Sequence, residues 1–243
     1  MKRTIIKIIS FLKGIIIFIR PHVYLGWLKH PLLTLSNLIS LSKWIAVHGR
    51  AKWLNDFYTP RKDYSKRYQV YQILTEKLQL KTDAVDYLEF GVSGGYSFRW
   101  WLKNSVNQES RFYGFDTFEG LPENWGAFGK GEMAANIPVI DDSRAEFIKG
   151  LFQDTVPGFL SRDLFSNGKR KIIHLDADLF SSTLYTLTTL APYLKKGDIL
   201  MFDEFNVPNH EFFAFKMFSD SFYLKTTLLA AVNNYYQIAL MVE

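Results

Sequence analysis

Residues 87–97 read YLEFGVSGGYS, and this stretch decides the fold of the 243-residue chain. The mostly apolar run over 85–90 predicts a strand, because a short segment of this kind bounded by turn residues is typical of the interior of a parallel sheet. The glycines that follow predict a sharp turn, since glycine adopts backbone conformations that are closed to other residues. A helix over 97–107 is predicted to leave this turn.

The turn has the pattern E-x-G-x-x-x-G, formed by Glu89, Gly91 and Gly95. It lacks the Gly-Lys-Ser of a P-loop, and it departs from the G-x-G-x-x-G of a dinucleotide site because Ser93 and Tyr96 occupy the later positions. An acid just before the first glycine would repel a pyrophosphate and suits a cationic ligand, such as a sulfonium with an amino-acid tail. A tight turn without any ligand stays open as the alternative.

From residue 64 onward, apolar strand-like runs alternate with longer helical stretches, which is typical of βαβ units and of an α/β fold with a mostly parallel sheet. The chain therefore divides into an N-terminal helical extension over 1–60 and one α/β domain over 64–243. The predicted strands lie over 85–90, 111–115, 171–175 and 198–202, with a closing pair over 224–230 and 235–242. The predicted helices lie over 64–80, 97–107, 152–160, 183–193 and 210–220.

Acids follow three further predicted strands: Asp116, then Asp176 and Asp178, then Asp203 and Glu204. Ligands of open α/β sheets bind outside the carboxyl ends of the strands, so these acids indicate a site. Asp116 could accept two ribose hydroxyls or cap a helix. The other four carboxylates would be costly to gather without a cation, and hard oxygen ligands suit Mg²⁺. The alternative that these acids do not form one site, but separately cap helices or lie on the surface, stays open.

Residues 1–60 are apolar and basic, and Asp56 is their first carboxylate. The whole chain has a formal net charge of +5, which suits an acidic partner. No interleaved base-stacking motif is present, so nucleic acid is not a predicted partner. The absence of cysteine excludes disulfides, cysteine zinc sites and thiol catalysis.

The stretch over 5–19 predicts a basic amphipathic helix, with a second amphipathic helix over 32–47. Lys7 and Lys13 interrupt the first stretch and Pro21 stops it, so it is too short and too charged for a membrane span. It could lie in a membrane interface, pack on its own domain or join a homo-oligomer, or act as a signal peptide that lacks a small-residue cleavage site. We expect a cytoplasmic protein, with peripheral attachment to the inner face of the membrane left open.

The motifs together resemble the macrocin O-methyltransferase (TylF-type) family, whose members methylate sugar hydroxyls of natural products. The resemblance covers about residues 64–243 and implies a Rossmann-like, class I methyltransferase fold, with S-adenosylmethionine as methyl donor and Mg²⁺ or a similar divalent cation. One strand end departs from the family's usual Asp-Asp-Tyr, because Asp203-Glu204-Phe205 stands there. The matching stretches are 87–95, 113–122, 147–157, 174–182 and 197–205.

The resemblance implies a role for each of these site residues. Asp178 would be the general base. The metal ligands would be Asp176, Asp203 and Glu204. The donor-binding residues would be Glu89, Gly91, Ser93, Gly95, Asp116, Gly150 and Phe152. The acceptor would be a saccharide or a glycosylated small molecule, and the basic, apolar N-terminus would suit a lipid-linked saccharide.

Two other functions stay open. Asp176-Ala177-Asp178 also fits the D-x-D pattern of a metal-dependent glycosyltransferase, and the chain could be a non-catalytic, membrane-associated protein of methyltransferase-like fold. We expect His174 to be structural, with its side chain facing away from Asp176. His210 is a candidate acceptor contact, and Trp125 and Phe128 could contact the apolar face of a sugar.

Overall fold

A computed structural model describes residues 2–162, 165 and 168–243. The described residues form one eight-stranded sheet. Its strands are β1 (Leu54–Asn55), β2 (Val85–Phe90), β3 (Arg111–Asp116), β4 (Ala145–Lys149), β5 (Arg170–Leu175), β6 (Ile199–Phe202), β7 (Thr226–Val232) and β8 (Gln237–Val242). Their order across the sheet is β1-β7-β8-β6-β5-β2-β3-β4.

The described residues also form helices, of which the first two bury no side chain. They are α1 (Lys2–Phe18), α2 (His22–Leu25), α3 (Lys29–His48), α4 (Arg67–Lys77), α5 (Tyr96–Asn104), α6 (Phe152–Leu160), α7 (Phe180–Leu190) and α8 (Glu211–Phe222). The predicted helix from residue 64 begins later, because residues 64–66 form a 3₁₀ turn whose Asp63 side chain accepts from the Ser65 amide. Across the described ranges, every helix falls short of the length and apolarity that crossing a bilayer requires.

The predicted α/β class is confirmed, with a mostly parallel sheet and an antiparallel strand at its C-terminal side. Strands β2 to β6 pair in parallel, whereas β8 runs antiparallel to both β6 and β7. Every residue of β2 is buried, including Asp86 and Glu89, so the strand lacks the alternation of buried and exposed residues that a half-exposed strand shows.

The side chains on the two faces of β2 pack into two different hydrophobic clusters, one on each side of the sheet. Tyr87 stacks on Trp101 of α5, with ring centroids 5.5 Å apart. Phe90 stacks on Phe115 of β3 at 4.7 Å and contacts Phe152 of α6. Because alternate side chains of a strand point to opposite faces, this single strand joins both helical layers. Its carboxyl end is thereby held rigidly where the glycine-rich turn begins.

Part of the N-terminal extension belongs to the sheet. Strand β1 pairs in parallel with β7, with Leu54 opposite Ala230. Helix α3 packs against the domain through Leu41 and through Trp44, whose ring lies 4.9 Å from that of Phe205. A two-residue strand carries no periodicity that a sequence can display, so β1 depends on the tertiary structure.

Candidate active site

A cavity of about 350 Å³ opens at the carboxyl ends of β2, β3, β5 and β6. This is the position at which open α/β sheets bind their ligands. Most of the predicted site residues line the cavity: Glu89, Gly91, Ser93, Asp116, Phe152, Asp176, Asp178 and Glu204. Gly95, Gly150 and Asp203 do not line it. They lie at the start of α5, at the end of β4 and at the end of β6, respectively.

The glycine-rich turn depends on left-handed backbone conformations. Gly91, Ser93 and Gly95 have φ values of 95°, 47° and 74°. At Gly91 a Cβ atom would lie only 1.8 Å from the carbonyl oxygen of Asp176, so the ends of β2 and β5 approach too closely for any side chain. The absence of a side chain here lets the turn lie beside the acidic end of β5.

Asp116 ties the turn to the end of β3. Its Oδ2 accepts hydrogen bonds from the amides of Val92 and Ser93, both at 2.8 Å, and its Oδ1 accepts from Phe118 at 2.7 Å. Each carboxylate oxygen has two lone pairs, so these three bonds fill Oδ2 and leave one acceptor position on Oδ1 of this cavity-lining residue. Its predicted contact with a ribose stays a prediction.

Glu89 is almost completely buried and faces the cavity. The hydroxyl of Tyr87 donates to its Oε2 at 2.6 Å. Burial raises the pKa of Glu89 to about 8, because the charged carboxylate is poorly solvated there. A bound cation would compensate for that lost solvation, so Glu89 is suited to a positively charged ligand group.

His174 belongs to the buried layer beneath Glu89. Its Nδ1 lies 2.8 Å from the Tyr87 oxygen. With the Tyr87 proton directed to Glu89, the Nδ1–H of His174 is the donor in that bond. Burial lowers the pKa of His174 to about 3, so the ring stays neutral. This agrees with a structural histidine.

The predicted direction of the His174 side chain was wrong. A ring nitrogen lies within 4.8 Å of carboxylate oxygens of Asp176 and Asp203. Residues two apart on a strand share a face, so His174 points to the same side as Asp176. Tyr87 and Glu89 are also two residues apart on one strand and share a face. The hydrogen bond between them could have been predicted from this spacing.

We expect the substitution Tyr87→Phe to lower the free energy of unfolding by about 1–3 kcal/mol, because it removes the hydrogen-bond partner of two buried groups, Glu89 and His174. Denaturant titration would measure this. Tyr113→Phe is the matched control, since the Tyr113 side chain is also buried but its hydroxyl has no hydrogen bond within the described part of the chain. Equal losses in both variants would contradict the role given to the Tyr87 hydroxyl.

Three carboxylates meet beside the turn. Asp176, Asp178 and Glu204 each place one oxygen within 4.8 Å of the others. Burial raises the pKa of Asp178 to about 6, and burial together with the neighbouring Asp178 raises the pKa of Glu204 well above its usual range. Carboxylates this close cannot all stay ionised unless a cation or a proton offsets their repulsion.

The donor set fits a hard divalent cation. Glu204 Oε2 and Asp203 Oδ1 are buried, and neither has a hydrogen-bond donor among the residues that the structure describes. Asp176 belongs to two groups of possible ligands, one with Asp178 and Glu204 and the other with His174 and Asp203, so it lies between the two free oxygens' residues. Ligands composed only of oxygen are those that Mg²⁺ prefers. The longer Glu204, which replaces the aspartate usual in the resembling family, still reaches the cluster.

Asp203 also contacts residues that the sequence did not indicate. The Tyr64 hydroxyl donates to Asp203 Oδ2, and Arg67 Nη1 lies 3.9 Å from the same oxygen. The Tyr236 hydroxyl donates to Glu204 Oε1 at 2.9 Å, and the Lys62 ammonium lies 3.2 Å from the centre of the Tyr236 ring. Tyr64 is 139 positions from Asp203 in the sequence, so no local pattern could link them.

The other wall of the cavity is aromatic. Trp125 lines it and stacks on Phe128, with ring centroids 5.5 Å apart. The ring of His210 lies 6.5 Å from that of Trp125. Flat apolar rings beside carboxylates can hold a molecule that has both an apolar face and hydroxyl groups.

Comparison with known proteins gives a consistent result. Residues 88–205 match a family model described as a methyltransferase domain. A curated relative from Streptomyces olivaceus, 8-demethyl-8-(2,3-dimethoxy-alpha-L-rhamnosyl)-tetracenomycin-C 4'-O-methyltransferase, is 33% identical over 66 residues. That match covers 27% of this chain and only 23% of the relative's length.

Two solved structures share the fold. The calicheamicin methyltransferase CalS11 is 20% identical with a TM-score of 0.54, and the match covers 85% of this chain and 91% of that one. The O-methyltransferase NovP is 18% identical with a TM-score of 0.54, over 72% of this chain and 79% of that one. The resemblance drawn from the motifs is confirmed at this level. Residues 88–205 thus match a methyltransferase domain, and the chain shares the fold of these two methyltransferases.

Proposed function

We propose that the protein is an O-methyltransferase that moves a methyl group from S-adenosylmethionine to a hydroxyl of a saccharide or glycosylated small molecule, with Mg²⁺ or a similar cation. One observation carries the proposal. A buried acid suited to a cation, a second acid on the next strand and a cluster of carboxylates line a single cavity of about 350 Å³. The methyltransferase domain over 88–205 supports it.

Glu89, Asp116 and the turn between them form the donor side. Glu89 is suited to the ammonium end of the donor, since burial leaves its charge poorly compensated. Asp116 retains one acceptor position, on Oδ1, for a ribose hydroxyl. Gly91, Ser93 and Gly95 shape the turn, and Phe152 offers an apolar wall, with Gly150 two residues before it. S-adenosylmethionine, when bound, supplies an activated methyl group.

Asp176, Asp203 and Glu204 would hold the metal. Asp203 would offer its free Oδ1, because Oδ2 accepts from Tyr64, and Glu204 would offer its free Oε2. A bound Mg²⁺ supplies the charge that lowers the pKa of a coordinated hydroxyl. Tyr64 and Tyr236 orient the two carboxylates by donating to their other oxygens. Such support keeps ligands in place and is typical of metal sites.

Asp178 would accept the proton of the acceptor hydroxyl. It lines the cavity, and its pKa of about 6 lies near neutral pH, where general bases are most effective. Trp125 and His210 would contact the acceptor on the opposite wall. The relative that acts on a rhamnosyl group agrees with a sugar acceptor.

The proposal is tested by titrating S-adenosylmethionine into the full chain by calorimetry, with Mg²⁺ and with chelator. We expect saturable binding in both, and about tenfold weaker binding to Glu89→Gln, because an amide keeps the size but not the charge. Glu109→Gln, at an exposed glutamate, is the matched control. Binding of a nucleotide-sugar in place of S-adenosylmethionine would instead support the glycosyltransferase reading.

A further inference from the structure

Helix α1 exposes every one of its side chains. At about 100° per residue, one half of the helix is apolar, with Ile5, Ile8, Leu12 and Ile15 around its centre and Phe11 near its edge. Phe11 is 69% exposed and Ile8 is 54% exposed. A water-exposed surface of this kind is unfavourable unless something covers it.

The charges of this region are all of one sign. Lys2, Lys7 and Lys13 lie with Arg3 on the other half of α1. The first carboxylate of the chain is Asp56. A helix with one apolar half and one basic half matches a surface that is apolar inside and negative outside, which describes the interface of a bilayer containing anionic lipid.

Helix α3 presents a second apolar surface. One side packs on the domain through Leu41 and Trp44. The opposite side exposes Leu32, Leu35 and Ile39, which are 58%, 56% and 63% exposed. Because α3 is anchored to the domain, these exposed side chains cannot reach the core, and they form an apolar surface on the folded body.

Two exposed aromatic residues lie between these helices. Tyr24 is 74% exposed and Trp27 is 73% exposed. Tyrosine and tryptophan are enriched where proteins meet the headgroup region of a membrane, because each has an apolar ring and a polar tip. A protein partner of the same chain would give no reason for the one-sided positive charge, which would repel itself across a symmetric contact.

We propose that α1, Tyr24, Trp27 and the exposed side of α3 dock the protein in the plane of a bilayer surface that contains anionic lipid. With 17 residues, α1 would lie about 25 Å along that surface. The charged half would face the headgroups and the apolar half would enter the acyl boundary.

The domain-facing side of α3 is linked to the wall of the cavity. Thr34 and Asn37 of α3 hydrogen-bond with Asn209, at 2.6 and 3.0 Å. Asn209 precedes His210, whose ring contacts that of Trp125 in the cavity wall. Docking would therefore place α3 between the membrane and this wall of the cavity. Given the proposed function, this position suits an acceptor saccharide carried on a lipid.

The test is flotation of the full chain with vesicles of phosphatidylcholine alone or with 30% phosphatidylglycerol. We expect binding to the anionic vesicles, weak binding to the neutral ones and loss of binding at high salt. Leu12→Asp should weaken binding about tenfold or more, because it places a charge in the apolar half. Ile17→Asp is the matched control, since Ile17 lies among the basic residues of α1 and is 75% exposed.

Both variants should keep the wild-type melting temperature, because α1 buries no residue. A loss of vesicle binding would therefore not be caused by unfolding. Equal binding of Leu12→Asp and wild type, or no binding to anionic vesicles, would overturn the proposal. A dimer that Leu12→Asp converts to monomer, without vesicle binding, would assign the surface to a second copy of the chain. S-adenosylmethionine binding is measured separately, so failure of the proposed function would be distinguished.

Discussion

Turnover is expected to fall about 10²–10⁴-fold when Asp178 is replaced by asparagine, because an amide cannot accept the proton of the acceptor hydroxyl. The fold should survive. Asp178 has a left-handed φ of 57°, which asparagine tolerates, and the change removes one charge from a crowded cluster. The measurement is release of S-adenosylhomocysteine from an acceptor found by screening, with donor binding followed by calorimetry.

A Mg²⁺ titration of Asp178→Asn separates two roles. If Asp178 acts only as the base, the Asp178→Asn variant should bind Mg²⁺ with the affinity of the wild type. As a ligand, its loss weakens that affinity, and this outcome would move Asp178 into the metal set with Asp176 and Glu204, which it neighbours. Asp154→Asn, at an exposed position of α6, serves as control and should leave both quantities unchanged. Wild-type turnover of Asp178→Asn would exclude either role.

Gly91→Ala is expected to lower the free energy of unfolding by about 2–5 kcal/mol and to abolish donor binding. The new Cβ would lie 1.8 Å from the Asp176 carbonyl oxygen, and the backbone would keep a φ of 95° that alanine disfavours. The clash is with backbone, so relief requires the ends of β2 and β5 to separate. Thermal unfolding and calorimetry would record both losses.

Gly94→Ala is the control for this substitution. Gly94 lies in the same turn, but a Cβ atom there would meet only the ring of Tyr96, at 3.0 Å, and its φ is not positive. The Tyr96 ring is exposed and can shift. We therefore expect a change within about 1 kcal/mol. Comparable losses in both variants would show that stability and donor binding are sensitive to any substitution in the turn, and not specifically to the contact at Gly91.

The elements with a strong local signal were predicted well. Strand β2 and helix α6 have the predicted bounds, since a buried apolar run and a helix that begins after the Lys149-Gly150 turn are set by neighbouring residues. Helix α5 ends at Asn104 rather than at residue 107. There Arg144, a distant residue, donates to the carbonyl groups of Leu102 and Ser105 and so ends the helix.

The assembly of the acidic site could be predicted because parallel strands end at the same edge of a sheet. The residues that contact those acids could not be predicted from the sequence. Tyr64 and Arg67 reach Asp203 across the fold, and Glu211 at the start of α8 accepts from the Glu204 amide. None of these side chains follows a strand or belongs to a motif.

The sequence by itself determined the class of fold, the glycine-rich turn and the acids at the strand ends, because each depends on periodicity or on residues that are close along the chain. Only the tertiary structure decided that β1 joins the sheet, that His174 faces Asp176, and that α3 packs on the domain while α1 stays exposed. An apolar helix has the same pattern whether a protein core or a membrane covers it. Whether such a helix is buried against the protein depends on the rest of the fold, so the helix's own sequence does not distinguish a core helix from a membrane-bound one.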